Sequence, residues 1–221
     1  MTLPLPLRNR LADLVLDALH DREARRALEA LAAVCADPRA LDAAPPPVAF
    51  PADLFDRGPE GWRFKSGYRQ HAAPFAERAG RAARALADRP LAPADPPLET
   101  ALDHAATLFA AGLYFEVHEV LEPHWMRAQG PARQTLQGLI QAAVGYQHLA
   151  NGNLDGARAL LHDGAAKLLG RRLAGRDLDA FARAVAGHSR ELAGDDAAAA
   201  RRFDWTRVPP FPAEAWPRVC M

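Results

Sequence analysis

The sequence predicts an all-α protein: an antiparallel helical bundle with an additional N-terminal helical region and an irregular C-terminal tail rich in proline and aromatic residues. Between residues 98 and 193, apolar side chains recur at helical spacing and no strand-like alternation of period two is present. Gly, Pro and Asn interrupt this block at intervals that suit short connections between antiparallel helices. The 19 prolines cluster at 45–51, 90–97 and 209–217, and these clusters mark boundaries because proline removes backbone donors.

The proline clusters divide the chain into three predicted parts. Residues 1–90 form an N-terminal helical region with an aromatic-rich loop, residues 98–193 form the bundle, and residues 194–221 form a C-terminal tail that docks on the body. The tail is expected to dock because it is too apolar to remain exposed. Its aromatic residues are Phe203, Trp205, Phe211 and Trp216.

Helical spacing also predicts the individual elements. In the N-terminal region we expect one broken helix or two short helices over 7–36, an aromatic-rich loop with at most a brief strand over 50–68, and a helix over 69–88. Gly112, Gly130-Pro131 and Asn151-Gly152-Asn153 separate successive helices of the bundle. The bundle is predicted to contain five helices, at 98–111, 113–128, 131–150, 154–170 and 177–193.

Composition restricts the class of partner and the compartment. Lys+Arg 27 against Asp+Glu 27 gives a net charge of zero, which argues against binding to nucleic acid or to an anionic membrane. The two cysteines lie far apart in sequence, so a reducing compartment is expected, and the N-terminus lacks a signal-like or membrane-spanning apolar run. We therefore expect a cytoplasmic protein whose partners are a small molecule or further copies of itself.

A histidine and glutamate cluster at residues 116–122 is the one chemically distinctive feature. His118 and Glu122 are four residues apart, so their side chains share a helix face one turn apart. Glu119 lies about a quarter-turn away, and Glu116 is expected nearer the solvent side. Trp125 continues the apolar stripe beside His118, which places His118 and Glu122 at the boundary of the core.

A polar stripe on the next helix complements this cluster. That helix is apolar round most of its circumference, as expected of a buried central helix. Unsatisfied buried polar groups cost about 1–3 kcal/mol each, so the stripe needs partners. We expect it to face His118 and Glu122 across the bundle and to form a polar pocket. The stripe consists of Arg133, Gln137, Gln141 and His148.

Two imidazoles with carboxylates form a suitable ligand set for Zn²⁺, Mn²⁺ or Fe²⁺. The predicted ligands are His118, Glu122 and His148, with Glu119 as an additional ligand. In an enzyme, a metal of this kind would promote hydrolysis, and Glu116 or Glu119 would move the proton. The remaining pocket residues would be Trp125, Gln137, Gln141 and Arg133.

Two simpler interpretations remain open. His118 and Glu122 could form only an i,i+4 ion pair, since many helices contain this spacing by chance. Alternatively, the His/Glu/Gln network could be a fully satisfied polar core in a structural or interaction module without enzymatic activity. The other histidines are interpreted as structural or surface residues: His20, His71, His104, His124, His162 and His188.

The run FAAGLYFEVHEVLEPHW, followed by LQGLIQAAVGYQHLANGNLDGA, resembles a bacterial and archaeal family catalogued as domain of unknown function 309. The first run matches its HxxxExxW motif through His118, Glu122 and Trp125. The second matches its QGLIQ…H…GN…GA stretch over 137–157. The resemblance covers about residues 98–170. It implies an all-helical fold, metal binding by the motif and a metal-dependent hydrolase, with no particular substrate.

Overall fold

The computed structural model of the chain describes residues 3–192 and 202–212. The chain comprises two compact units, one formed by Met1–Pro96 with Ala111–Leu113 and the other by Pro97–Ala110 with Tyr114–Met221. Eight α-helices, three short 3-10 helices and two small antiparallel sheets make up the described regular structure, which confirms the all-α class. None of the helices in these residues is long and apolar enough to cross a lipid bilayer.

The first unit contains three helices and one hairpin. Helices α1 (Leu5–Asp17) and α2 (Arg22–Ala36) account for the two short helices expected over 7–36. Helix α2 begins at a capping residue, because the Asp21 side chain accepts a hydrogen bond of 2.7 Å from the Ala24 amide. The aromatic-rich segment forms β1 (Phe55–Gly58) and β2 (Gly61–Phe64), and α3 (Ala72–Leu86) follows.

The second unit contains five helices in the predicted order. Each begins and ends within two residues of its predicted boundaries, and turn residues set these limits. Gly130 and Gly152 adopt φ of +55° and +77°, where glycine is favoured, at the starts or ends of helices. The helices are α4 (Leu98–Ala110), α5 (Tyr114–Arg127), α6 (Gly130–Ala150), α7 (Leu154–Leu168) and α8 (Asp179–Glu191).

The expectation that this block contains no strand is wrong at one point. Strands β3 (Arg172–Leu173) and β4 (Arg176–Asp177) form a two-residue hairpin between α7 and α8. Its turn places Ala174 at φ 46° and Gly175 at φ 75°, the geometry of a tight hairpin turn. Strands of two residues are too short to show an alternation in the sequence.

Helix α6 packs between α5 and α7 at the centre of this unit. Its backbone approaches α7 closely, because a Cβ added to Gly145 would lie 2.8 Å from the Leu161 side chain. A Cβ added to Gly164 of α7 would lie 2.9 Å from the carbonyl oxygen of Gly138. Glycine therefore sets the separation of α6 and α7.

The described C-terminal segment, residues 202–212, contacts helices of the second unit. The Phe203 ring meets the His188 ring edge-on at 5.1 Å, and Trp205 stacks on Tyr114 at 6.3 Å. Phe211 is buried, and its ring lies 5.5 Å from that of Phe109. The remaining aromatic residue predicted for the tail, Trp216, and the cysteine Cys220 lie outside the described residues.

Candidate metal centre

Helix α5 brings His118, Glu119 and Glu122 together. One ligand atom from each lies within 4.8 Å of the others, which is close enough for a shared metal ion. The three side chains are 28%, 31% and 40% exposed, so the cluster lies at the helix surface where a ligand can reach it. Local helix geometry explains this grouping, because positions i, i+1 and i+4 cover one sector of the helix.

The two glutamates approach different nitrogens of the same imidazole. His118 Nδ1 lies 3.3 Å from Oε1 of Glu119, and Nε2 lies 3.7 Å from Oε1 of Glu122. A ring nitrogen that binds a metal must present its lone pair, while the other nitrogen carries a proton. An ion bound at one nitrogen would therefore leave one glutamate beside the ion and the other beside the N–H of the ring.

Two contacts fix the register of α5 against α6. Near one end the Tyr114 and Tyr146 rings lie 5.6 Å apart, and near the other the Arg133 guanidinium covers the Trp125 ring at 4.2 Å. Because the helices are antiparallel, interpolation between these contacts places His118 level with Gln141. Glu122 is correspondingly level with Gln137. This register gives only the height of the residues along the helix axes, so the predicted pocket between the polar stripe and the cluster stays a prediction.

Buried polar atoms without hydrogen-bond partners lie along the same two helices. Oε1 of Gln141 and Nε1 of Trp125 are buried, and neither has a hydrogen-bond partner among the residues that the structure describes. Leaving such an atom unsatisfied costs about 1–3 kcal/mol. The Gln141 side chain starts on the side of α6 that faces α7, because a Cβ added to Gly164 would lie 3.2 Å from the Gln141 Cβ.

Arg133 has a structural role at the end of α5. Its Nη1 atom donates to the carbonyl oxygens of Trp125 at 2.9 Å and Met126 at 3.2 Å, and its guanidinium stacks on the Trp125 ring. These carbonyls belong to the last turn of α5, where helices lack backbone donors, and the Ala128 amide reaches only that of Trp125, at 3.3 Å. Arg133 thereby caps the helix and stabilises the position of Trp125, and it is not one of the grouped ligand residues.

His148 lies outside the grouped ligands, and its hydrogen bonds explain why it does not suit the predicted role. Asn153 caps α7 by accepting the Gly156 amide at 3.0 Å on Oδ1, which fixes the orientation of its amide group. Asn Nδ2 therefore donates to His148 Nδ1 at 2.7 Å, and Nδ1 carries the lone pair. In the neutral ring the proton is then on Nε2, so neither nitrogen is free to bind a metal.

The position of Glu116 differs from the one that the sequence predicted. It is fully buried, at 0% exposure, although it was expected nearer the solvent side. It precedes His118 by two residues, about 200° round the helix, so the two side chains leave α5 on opposite sides. Glu116 therefore does not share a site with His118, and the proton-transfer role predicted for it lacks the required proximity.

Tyr146 and His188 form a buried pair that the sequence analysis did not identify. The Tyr146 hydroxyl lies 2.8 Å from His188 Nδ1, and the two residues are 0% and 4% exposed. Burial raises the pKa of Tyr146 and lowers the pKa of His188, because each loses hydration of its charged form. Forty-two positions separate the pair in sequence, so helical spacing carried no signal for it.

Comparison with known proteins locates a family match in this part of the chain. Residues 102–160 match the family model described as "Domain of unknown function (DUF309)". The match falls within the segment that resembles this family in sequence, and it includes the whole of α5 and α6. No curated protein and no solved structure matches the chain.

Proposed function

We propose that this protein binds a divalent metal ion on α5, because this helix groups three potential metal ligands within the segment 102–160 that matches DUF309. We further propose that the bound metal serves a hydrolytic reaction. The observation that carries the proposal is the grouping of His118, Glu119 and Glu122 on one side of α5.

The two nitrogens of the His118 ring have different neighbours, and this difference indicates which residues bind the metal. His118 Nε2 and Glu122 are the ligands, because i,i+4 spacing lets both reach one ion from the same helix face. Glu119 holds the proton of Nδ1 and thereby orients the ring, as a carboxylate commonly does behind a metal-bound histidine. This assignment replaces the direct ligand role that the sequence suggested for Glu119.

Gln141 is not assigned as a ligand, although its position in the polar stripe suggested a place in the pocket. Its Cβ lies on the side of α6 that faces α7, because a Cβ added to Gly164 would lie 3.2 Å from it. One imidazole nitrogen with carboxylate oxygens, and no thiolate, suits Zn²⁺, Mn²⁺ or Fe²⁺.

The proposed chemistry follows from the number of protein donors. The two assigned ligands, His118 and Glu122, leave coordination positions open, and a divalent ion there would supply a Lewis acid for hydrolysis. Glu119 is the one carboxylate of the cluster that is not a ligand, and it is 31% exposed. Because Glu119 lies beside Nδ1, at the opposite end of the ring from the metal-binding Nε2, its proposed role is to hold the Nδ1 proton and orient His118.

Two observations weigh against the simpler interpretations. The His118–Glu122 ion pair has a separation of 3.7 Å and is partly exposed, so on its own it stabilises the helix by only about 0.3–0.5 kcal/mol. A structural core whose polar groups are all satisfied would not leave Gln141 Oε1 and Trp125 Nε1 buried without partners in the described chain.

The experiment is elemental analysis of the untagged full-length protein after incubation with Zn²⁺ and removal of free metal. We expect about one metal ion per chain, and none in His118→Ala. His124→Ala is the matched control, because His124 lies on the same helix outside the group. Circular dichroism checks that each variant keeps its helicity.

Two isosteric variants separate the roles. Glu122→Gln removes a ligand charge and should abolish metal retention, whereas Glu119→Gln should weaken metal affinity by about 10–100-fold, as for residues that orient a ligand. His148→Ala should retain the metal. Normal metal content in His118→Ala, or none in the unsubstituted protein, would refute the proposal.

A further inference from the structure

The first unit contains a cavity that the proposed metal centre does not involve. It has a volume of about 310 Å³, opens to solvent and lies between the end of α2, the β1–β2 hairpin and the start of α3. This volume is at the lower end of the range for small-molecule pockets. Six of its lining residues matter for the argument: Val34, Phe55, Trp62, Arg63, Phe64 and Arg69.

Aromatic rings form a fixed wall of this cavity. The Phe55 and Phe64 rings lie 4.4 Å apart, and Trp62 meets Phe55 edge-on at 6.5 Å. All three are less than 9% exposed, so their positions are set by packing. The Trp62 amide also donates to the Pro38 carbonyl at 2.8 Å, which holds β2 against the end of α2. The wall is therefore preformed for a flat apolar ligand.

Positive charge borders the same cavity. Arg63 is paired with Glu60, so its charge is partly compensated. The Nε atom of Arg69 donates to the Phe64 carbonyl at 3.3 Å, which fixes the stem of this side chain. The terminal nitrogens of Arg69 make no hydrogen bond or ion pair with the residues that the structure describes, and no acidic residue of those lines the cavity. The cavity thus offers an uncompensated guanidinium beside an aromatic wall.

We propose that this cavity binds a small planar aromatic carboxylate. The ring system would lie against the parts of Trp62 and Phe64 that remain exposed, because neighbouring rings cover most of both side chains and Arg57 lies over the Trp62 ring at 5.5 Å. The carboxylate would accept a pair of hydrogen bonds from the guanidinium fork of Arg69, the geometry in which arginine recognises carboxylates. The cavity volume limits the ligand to one or two fused rings.

The test uses 2-naphthoate as the probe and the full-length protein labelled with ¹⁵N. The four tryptophans give separate indole N–H signals, and Trp62→Phe identifies the signal of Trp62. We expect saturable movement of that signal with 2-naphthoate. The neutral isostere 2-naphthamide and the saturated analogue decahydro-2-naphthoate should each bind about tenfold more weakly or less.

Arg69→Gln supplies the decisive variant. It should weaken 2-naphthoate about tenfold and leave 2-naphthamide unchanged, while Arg171→Gln, an exposed arginine of the second unit, should change neither. The proposal is overturned if the Trp62 signal does not move, if naphthoate and naphthamide bind equally, or if Arg69→Gln binds naphthoate normally. None of these outcomes depends on metal binding at α5, so the two proposals are tested separately.

Discussion

Replacing Asn153 by alanine tests the hydrogen bonds that join α6 to α7. Asn153 accepts the Gly156 amide and donates to His148 Nδ1, so alanine removes both bonds. Loss of an N-cap costs about 1 kcal/mol, and loss of a further neutral hydrogen bond costs about 0.5–1 kcal/mol where the groups are partly exposed. We therefore expect the free energy of unfolding to fall by about 1–2 kcal/mol.

Asn151→Ala is the matched control, because Asn151 is exposed in the same turn and its side chain makes no hydrogen bond in the described structure. It should change stability by less than about 0.5 kcal/mol. Urea unfolding followed by circular dichroism measures both variants, and the slope of the transition should not change. Hydrogen exchange at the Gly156 amide gives a local measurement, and its protection should be lost only in Asn153→Ala.

A third variant separates the two bonds of this turn. Asn153→Asp keeps an oxygen for the Gly156 amide but removes the donor to His148. It should retain protection of that amide and recover the capping part of the lost stability. Equal stabilities of Asn153→Ala and Asn151→Ala would refute the assignment, and with it the argument that His148 Nδ1 is occupied.

Two other predictions concern the interior of the second unit. Gly145→Ala should destabilise the fold by about 1–3 kcal/mol in urea unfolding, because its new Cβ would overlap the Leu161 side chain. Gly187→Ala, in open space on α8, should be neutral or stabilising by up to about 1 kcal/mol, and equal effects would contradict the packing argument. Burial lowers the pKa of His188, so below about pH 6.5 the unfolded chain binds more protons and stability falls as the pH is lowered. His188→Gln should flatten this part of the stability profile relative to the unsubstituted protein, and an unchanged profile would contradict it.

The five helices of the second unit could be predicted because their limits are local. Gly130, Gly152 and Asn153 act within one turn of the chain, and the residues on either side show a helical repeat. The β3–β4 hairpin could not be predicted in the same way. It depends on a turn through Ala174 and Gly175, and its strands contain too few residues for a pattern.

The candidate site was predictable only where one helix supplies it. Helical geometry alone groups His118 with Glu119 and Glu122. A helical wheel gives the direction in which a side chain leaves the helix, but not which other elements cover it. The wheel therefore placed Glu116 wrongly at the solvent side. It also could not show that Nδ1 of His148 receives a hydrogen bond from a residue of the following turn.

The buried Arg176 has a consequence for the order in which the chain folds. Its guanidinium donates to the Glu99 carbonyl at 3.1 Å and the Pro212 carbonyl at 3.0 Å, and it forms an ion pair of 2.9 Å with Asp103. One side chain thus joins the first turn of α4 to the last described residues. During synthesis this contact cannot form until residue 212 has been added, whereas the first unit lies almost wholly upstream. We expect the first unit to fold early and the second to close late, as long-range contacts generally do.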